Sequence, residues 1–243
     1  MRCINYAHRG ASAYAPENTL AAFYLGLEMG ADGIETDIQC TSDGKLVLFH
    51  DDSMLRICGS PRRISECTYR ELLEMDFGAY MKIERYQAER IVTLEEFLLH
   101  FGGKSLTFAL EIKQLGVEKE ALMIANRSGA LAKVTFTSFL WDSIVALRAL
   151  DSEIAIGYLT SNGITDEDLE RLEAYRIMQI CPGIDKIKRA DVEKALARDF
   201  SVRVWKVKDV EWMHKAIDIG VDGMTVNFPD KLTKALQHES QNG

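Results

Sequence analysis

Short apolar runs alternate with helical patterns along almost the whole 243-residue chain, and this alternation limits the folds that the chain can adopt. The runs have the length of single strands, whereas the segments between most of them carry apolar residues at helical spacing. Strands separated by helices pair in parallel, and about eight such units close into a barrel. We therefore predict an α/β fold, a (β/α)8 TIM barrel, with strands at residues 4–8, 33–38, 46–49, 106–112, 134–137, 154–159, 177–181, 202–207 and 223–226.

The segments between the strands predict the outer helices. The first helix is expected to begin at Asn18, a residue type that caps helices well, and to end at Gly30. Further helices are predicted near residues 94–101, 118–128, 141–150, 166–175, 191–200 and 210–219.

Residues 39–45, which join the second run to the third, are too few for a crossover helix. Asp43-Gly44 is a strong turn signal and favours a tight hairpin, in which Asp37 would lie opposite His50. A return loop between parallel strands is the alternative. Both geometries bring Asp37 and His50 to one rim of the barrel.

Residues 51–93 break the strand–helix rhythm. They are rich in polar residues and turn signals and hold only one clear helical pattern, at residues 68–75. Long insertions in barrels tend to cover active sites. We therefore expect a single domain, residues 1–243, in which residues 51–93 are a small insertion over the rim.

Charge and composition exclude several classes of protein. A formal net charge of −8 argues against a nucleic-acid-binding surface, which needs clustered Lys and Arg. No apolar run approaches the ~20 residues of a membrane helix, so stable membrane insertion is not expected. The five cysteines are scattered without a CxxC pair, and the N-terminus lacks an apolar leader, which predicts a cytoplasmic location. The sequence does not define an oligomeric state.

Acidic residues end the second and fourth strands. Glu35 and Asp37 project to the same side of their strand, because strand side chains alternate between faces, and Glu111 and Lys113 do so on theirs. Carboxylates gathered in one barrel mouth repel each other unless a cation lies between them, and oxygen ligands select Mg²⁺ or Ca²⁺. The alternative for Glu111 is an ordinary ion pair with Lys113.

Two of the five histidines, His8 and His50, stand where strands end. Imidazole has an unperturbed pKa near 6.5, so one ring can accept a proton from an attacking oxygen while the other protonates a leaving alkoxide. An isolated histidine on an apolar strand is more often a core residue. Two of them at strand ends beside paired carboxylates favour acid–base chemistry at a phosphate.

Arg9 and Trp205 are candidates for substrate contact. The planar guanidinium of Arg9 suits phosphate oxygens, although a salt bridge to Glu17 or Asp51 is the alternative. Trp205 ends a strand, where an aromatic ring can pack on the carbon skeleton of a ligand. A core tryptophan explains the same spacing nearly as well.

Several ordered motifs resemble the glycerophosphodiester phosphodiesterase family of the phospholipase-C-like phosphodiesterases. The resemblance spans roughly residues 4–232 and is most specific in the N-terminal half. The motifs are His8-Arg9-Gly10-Ala11-Ser12, Pro16 to Phe23, Gly33-Ile34-Glu35-Thr36-Asp37, Thr41-Ser42-Asp43-Gly44, His50-Asp51, Thr93-Leu94-Glu95-Glu96, Glu111-Ile112-Lys113 and Gly220-Val221-Asp222-Gly223.

This resemblance implies a TIM barrel that hydrolyses glycerophosphodiesters to glycerol 3-phosphate and an alcohol with one divalent cation, Mg²⁺ or Ca²⁺. The substrate would be a small molecule. The roles it implies are acid–base catalysis by His8 and His50, metal binding by Glu35, Asp37 and Glu111, phosphate binding by Arg9 and Lys113, and glycerol packing by Trp205.

The departures from the family pattern fall in segments that are expected to contact the alcohol of the substrate. After Trp205 the family usually reads Thr-Val-Asn, whereas this chain has Lys206-Val207-Lys208. Before the last Pro-Asp the family usually has Thr-Asp, and here Val226-Asn227-Phe228 stands there. Two alternatives stay open: a lysophospholipase D-like or cyclising enzyme, whose acyl groove the apolar residues of the insertion would line, and a protein that binds phosphodiesters without turnover.

Overall fold

The strands of the protein close into one ring. The computed structural model describes residues 3–242. Its strands are β1 Ile4–His8, β2 Gly33–Cys40, β3 Leu46–Leu48, β4 Thr107–Ile112, β5 Val134–Ser138, β6 Ala155–Thr160, β7 Gln179–Pro182, β8 Ser201–Val207 and β9 Gly223–Val226. Parallel pairing runs in the order β1-β9-β8-β7-β6-β5-β4-β2, and a β1–β2 pairing closes the barrel. The (β/α)8 barrel predicted from the sequence is confirmed.

Helices cover the outside of the barrel. They are α1 Leu20–Glu28, α2 Leu55–Cys58, α3 Tyr69–Leu73, α4 Leu94–Phe101, α5 Glu118–Arg127, α6 Trp141–Leu150, α7 Asp166–Ala174, α8 Arg189–Leu196, α9 Val210–Ile219 and α10 Pro229–Asn242. The predicted bounds of α4, α6 and α9 match the structure residue for residue. Within residues 3–242, no helix has both the length and the apolar composition needed to cross a membrane.

The cap of α1 differs from the prediction. Thr19, not Asn18, is the N-cap, because its hydroxyl accepts a hydrogen bond from the Ala22 amide at 3.3 Å. Asn18 adopts a left-handed backbone (φ 58°), which asparagine tolerates better than most residues. The prediction of Asn18 as the cap is therefore wrong, and its amide is available for another contact.

The connection between β2 and β3 is a hairpin. The two strands pair antiparallel with Ile38 opposite Leu48, so Asp37 lies opposite Phe49, whose amide donates to the Asp37 carbonyl at 3.0 Å. The turn signal was read correctly, but the register is one residue away from the predicted pairing of Asp37 with His50. The loop is one residue longer than a two-residue turn, because the Thr41 amide donates to the Lys45 carbonyl at 2.9 Å and Gly44 between them adopts a left-handed backbone (φ 84°).

The main apolar core lies between the strands and the helices, where alternate strand residues such as Ile34, Leu110 and Phe136 are fully buried. The inside of the barrel is polar by contrast. Arg203 is buried there and donates to the Thr225 hydroxyl at 2.6 Å. This arrangement places charged side chains in the centre of the molecule, directly under the rim that carries the predicted site.

Residues 51–93 consist of short helices and turns that pack on a small core of their own. Met54, Ile57, Ile64 and Leu72 are buried there together with Val47 of β3. Because this cluster includes a strand residue, the segment is attached to the barrel by apolar packing rather than by a flexible linker.

Candidate active site

A cavity of about 330 Å³ opens at the carboxyl ends of the barrel strands. Its volume and position are typical of small-molecule sites in this architecture. Apart from Asp37, which is buried, every site residue predicted from the sequence lines the cavity: His8, Arg9, Glu35, His50, Glu111, Lys113 and Trp205.

Three carboxylates meet at one side of the cavity. Asp37 of β2 lies beside Glu111 of β4 in the parallel register, and Glu35 precedes Asp37 by two residues on the same face. One oxygen from each lies within 4.8 Å of the others, and all three residues are buried. Among the described residues, Glu35 Oε2 and Asp37 Oδ1 have no hydrogen-bond partner. Buried, unpartnered carboxylate oxygens that converge on one point fit a hard divalent cation.

The pKa values of the carboxylates reflect this crowding. Burial and repulsion from Asp37 and Glu111 raise the pKa of Glu35 to about 8, and burial and Asp37 raise that of Glu111 to about 7. Burial also acts to raise the pKa of Asp37, but Arg9 and Lys113 lower it to about 2. Without a cation, the cluster therefore retains protons at pH values where isolated carboxylates have lost them.

Asn18 holds Asp37 in place. Its amide nitrogen donates to Asp37 Oδ2 at 3.1 Å, and its amide oxygen accepts from the Thr36 hydroxyl at 2.7 Å. This contact occupies Asp37 Oδ2, whereas Oδ1 has no hydrogen-bond partner among the described residues. The contact was not predicted from the sequence, because Asn18 precedes a helix and was assigned as its cap.

The turn after β1 depends on a glycine. Arg9 and Gly10 both have left-handed backbones, with φ of 57° and 83°, and a Cβ on Gly10 would lie 2.4 Å from the backbone of Ala22 in α1. Only glycine permits this approach. The turn directs Arg9 Nε to within 3.2 Å of Asp37 Oδ2, while Nη1 donates to Glu17 at 2.9 Å. The alternative ion pair of Arg9 with Glu17 is thus present beside the cavity.

Lys113 and Arg56 add positive charge around the carboxylates. Lys113 Nζ donates to Glu111 Oε1 at 2.9 Å and lies 3.7 Å from Asp37 Oδ1, so Glu111 has the predicted partner as well as its place in the triad. Arg56, which the sequence analysis did not select, donates to both Glu17 and Asp51 at 2.7–3.0 Å. It links residues 51–93 to the loop after β1.

His8 is fixed by a residue from the other end of the chain. Its Nδ1 donates to the amide oxygen of Asn227 at 2.5 Å, which leaves Nε2 as the nitrogen nearer the carboxylates, 3.8 Å from Glu35 Oε2. Burial and the nearby Arg9 lower the pKa of His8 to about 4. The ring is therefore neutral near pH 7, with the lone pair on Nε2.

His50 has an ionic partner instead. Its Nδ1 donates to Asp51 Oδ1 at 2.7 Å. Although burial raises the pKa of Asp51, hydrogen bonds from Arg56 and His50 lower it to about 2, so the carboxylate stays ionised. The two rings in this cavity therefore have different partners, an amide oxygen for His8 and a carboxylate for His50.

Comparison with known proteins agrees with this geometry. Residues 8–231 match the sequence model of the Glycerophosphoryl diester phosphodiesterase family. The chain belongs to this family. The family and the enzyme class predicted from the motifs are confirmed.

The similarity to individual family members covers almost the whole chain. The glycerophosphodiester phosphodiesterase of Caldanaerobacter subterraneus subsp. tengcongensis is 31% identical over 98% of this chain and 99% of its own. That of Bacillus altitudinis is 31% identical over 94% and 96%. The structure of an Oleispira antarctica phosphodiesterase in complex with the product sn-glycerol-3-phosphate is 29% identical, with a TM-score of 0.86 over 97% of both chains.

Trp205 lies on the opposite wall from the family's carboxylate motifs. Its indole nitrogen donates to the Thr160 carbonyl at 3.2 Å, and its ring meets Phe139 edge-on at 5.2 Å between centroids. The pairing of β8 with β9 is irregular between Val204 and Val207, which is a bulge at the rim. The two walls of the cavity thus differ, with the carboxylates on β2 and β4 and the aromatic pair on the side of β5 and β8.

The metal-free protein is expected to lose stability between pH 6.5 and 8. Glu35 and Glu111 hold protons in the folded state that the unfolded chain releases near pH 4.5. The stabilisation that these protons give the folded state is complete below pH 4.5. It is lost as the pH rises to about 8 for Glu35 and to about 7 for Glu111. The lowered pKa of His8 makes stability rise with pH, but this effect is complete at pH 6.5, where the histidine of the unfolded chain loses its proton. Urea unfolding with EDTA should give a free energy of unfolding that falls by about 1–3 kcal/mol per pH unit in this window.

The variant Glu35→Gln should flatten this slope, and the matched exposed variant Glu211→Gln should keep it. Saturating Mg²⁺ or Ca²⁺ should also abolish it. A metal-free protein whose stability rises from pH 6.5 to 8 would contradict the buried, protonated carboxylates.

Proposed function

We propose that this protein hydrolyses glycerophosphodiesters to glycerol 3-phosphate and an alcohol with the help of one divalent cation. The observation that carries the proposal is the placement of a buried carboxylate triad and two histidines around one cavity. The relative whose structure contains sn-glycerol-3-phosphate supports the product. A small-molecule substrate fits a cavity of about 330 Å³.

Glu35, Asp37 and Glu111 would hold the cation, either Mg²⁺ or Ca²⁺, because their oxygens converge and two of them are otherwise unpartnered. A divalent cation there would neutralise phosphate charge and lower the pKa of an attacking hydroxyl. Arg9 and Lys113 flank the triad and would stabilise negative charge on the phosphate oxygens. Trp205 would pack on the carbon skeleton of the substrate from the opposite wall.

His8 would act as the general base. Its Nδ1 is committed to Asn227 and its pKa is about 4, so Nε2 can accept a proton from the attacking hydroxyl at neutral pH. Asn227 fixes the tautomer, which makes it a positioning residue. The sequence leaves the choice between the two histidines open, and we propose this assignment on the basis of their different partners.

His50 would act as the general acid. Asp51 accepts from Nδ1 and fixes the orientation of the ring, so that Nε2 would deliver the proton to the departing alkoxide. Arg56 holds Asp51 and Glu17 together, so that the segment 51–93 would support both His50 and Arg9 from the rim. We therefore propose that this segment is an insertion of a single-domain enzyme and that it covers one side of the site.

Two alternatives from the sequence analysis find less support. An acyl groove in residues 51–93 would need a continuous row of exposed apolar side chains, but Met54, Leu72 and Phe77 are buried in the core of the segment. Leu55 is exposed, whereas Tyr69, Leu73, Tyr80 and Met81 are half-buried. A non-catalytic binding protein would not need two histidines whose Nδ1 atoms are each fixed by a side-chain partner. The thiols of Cys40, Cys58, Cys67 and Cys181 form no disulfides, which supports a reducing compartment such as the cytoplasm.

The proposal is tested by measuring glycerol 3-phosphate release from glycerophosphoglycerol and glycerophosphocholine with Mg²⁺, Ca²⁺ or EDTA. Release is expected with at least one metal and none with EDTA. Cleavage of lysophosphatidylcholine without cleavage of glycerophosphodiesters would favour the lysophospholipid alternative. Tight binding of glycerophosphodiesters by the folded protein without product under any metal would favour the binding protein.

A further inference from the structure

Two lysines, Lys206 and Lys208, line the cavity beside Trp205. In a strand of regular alternation, adjacent residues point to opposite faces, so Trp205 and Lys206 would not share one wall. The irregular pairing between Val204 and Val207 and the left-handed backbone of Lys206 (φ 66°) change this. A left-handed backbone is uncommon for residues other than glycine. The bulge that turns Lys206 toward the cavity therefore costs conformational free energy.

The charges of these lysines are only partly compensated. Lys206 Nζ donates to Asp185 at 2.7 Å, and this hydrogen bond lowers the pKa of the Asp185 carboxyl. Lys208 is exposed and has no ion pair among the residues whose side chains the structure describes, 3–238. The carboxylates of the cavity belong to the metal triad on the other wall. In a chain with a net charge of −8, this rim is a local surplus of positive charge.

A cationic alcohol such as choline does not fit this wall well. Quaternary ammonium groups bind over aromatic faces, and the Phe139–Trp205 pair is the aromatic surface of the cavity. However, Lys206 Nζ already lies 6.0 Å from the centre of the Trp205 ring. A quaternary ammonium group over the Trp205 ring would therefore be repelled by the Lys206 ammonium group.

We propose that the preferred glycerophosphodiester has an alcohol that carries a second phosphate, which Lys206 and Lys208 bind while the first phosphate is at the metal triad. This inference rests on the proposed function. Two sources have this chemistry: a second phosphodiester, as in bis(glycerophospho)glycerol, and a phosphate monoester, as in a phosphorylated glycerophosphoinositol. The aromatic pair packs against the carbon skeleton between the two phosphates.

The test compares kcat/KM for bis(glycerophospho)glycerol with that for glycerophosphoglycerol, which has the same alcohol without the second phosphate. Glycerophosphoinositol with and without a phosphate monoester forms the second pair. We expect a preference of about tenfold for the doubly charged member, carried by KM and reduced as salt increases. Glycerophosphocholine should be the poorest substrate. The pair with the larger preference identifies the source.

The variants Lys206→Gln and Lys208→Gln should each lower this preference several-fold, whereas Lys206→Arg and Lys208→Arg should retain it. Lys234→Gln on α10 makes the same charge change away from the cavity and should have no effect. A preference for glycerophosphocholine, or a preference for the second phosphate that survives both glutamine variants, would overturn the inference while the proposed function stands. Failure to hydrolyse any of these diesters would overturn the proposed function itself.

Discussion

Replacing His50 by alanine is expected to lower kcat for glycerophosphoglycerol by about three orders of magnitude, which is within the usual contribution of a general acid. For a glycerophosphodiester of 4-nitrophenol, the loss should be less than about tenfold, because a good leaving group departs without a proton. This difference follows from the proposed role of His50, which would protonate the departing alkoxide while Asp51 holds its Nδ1. Steady-state kinetics on the two substrates with saturating metal measures it.

His8→Ala should behave differently, since loss of the base affects the attacking hydroxyl and not the departing alcohol. We expect kcat to fall by about three orders of magnitude on both substrates. His214→Ala changes an exposed histidine on α9 and is the matched control, for which activity should be unchanged. Rescue of His8→Ala by the nitrophenol ester, together with no rescue of His50→Ala, would reverse the two assignments.

The variant Glu35→Gln is expected to abolish metal binding and to lower kcat by at least about three orders of magnitude. The amide has nearly the same shape but no negative charge, so the remaining carboxylates attract a divalent cation less strongly. In the wild type, metal at about a hundred times its Kd should raise Tm by about 5–10 °C, and this increase should vanish in the variant. Differential scanning calorimetry with and without Mg²⁺ or Ca²⁺ measures both.

Stability and activity should move in opposite directions in this variant. The metal-free protein should be at least as stable as the wild type at pH 8, because the substitution removes a buried carboxylate that its neighbours repel. Glu211→Gln should retain both the metal response and the activity. A Glu35→Gln protein that still gains several degrees of Tm with metal would remove Glu35 from the cation site.

The barrel could be predicted from the sequence because its signals are periodic and local. Apolar spacing gave the exact bounds of α4, α6 and α9. Helix α10 was not predicted, although Pro229 at its first position is a residue type that often begins a helix. Motifs at strand ends identified the residues of the cavity, because all parallel strands of a closed barrel end at the same rim.

The missed features depend on contacts between distant residues. The side-chain contacts of Asn18 with Asp37 and of Asn227 with His8 are formed only when β1, β2 and β9 are adjacent. The hairpin register was wrong by one residue because Thr41 pairs with Lys45, which leaves three residues in the loop instead of two. The direction of Lys206 follows from a bulge, which alternation along a single strand cannot predict.

The opposite walls of the cavity come from different halves of the chain. Residues 8–113 supply the histidines, the carboxylate triad, Arg9 and Lys113, whereas residues 139–208 supply the aromatic pair and the two rim lysines. Recombination between residues 113 and 139 would therefore exchange the wall that we propose to face the alcohol and leave the triad and both histidines unchanged. Asn227, the partner of His8, is a contact that an incoming half must preserve. Substrate range in such a barrel can diversify by shuffling contiguous segments rather than by accumulating scattered point mutations.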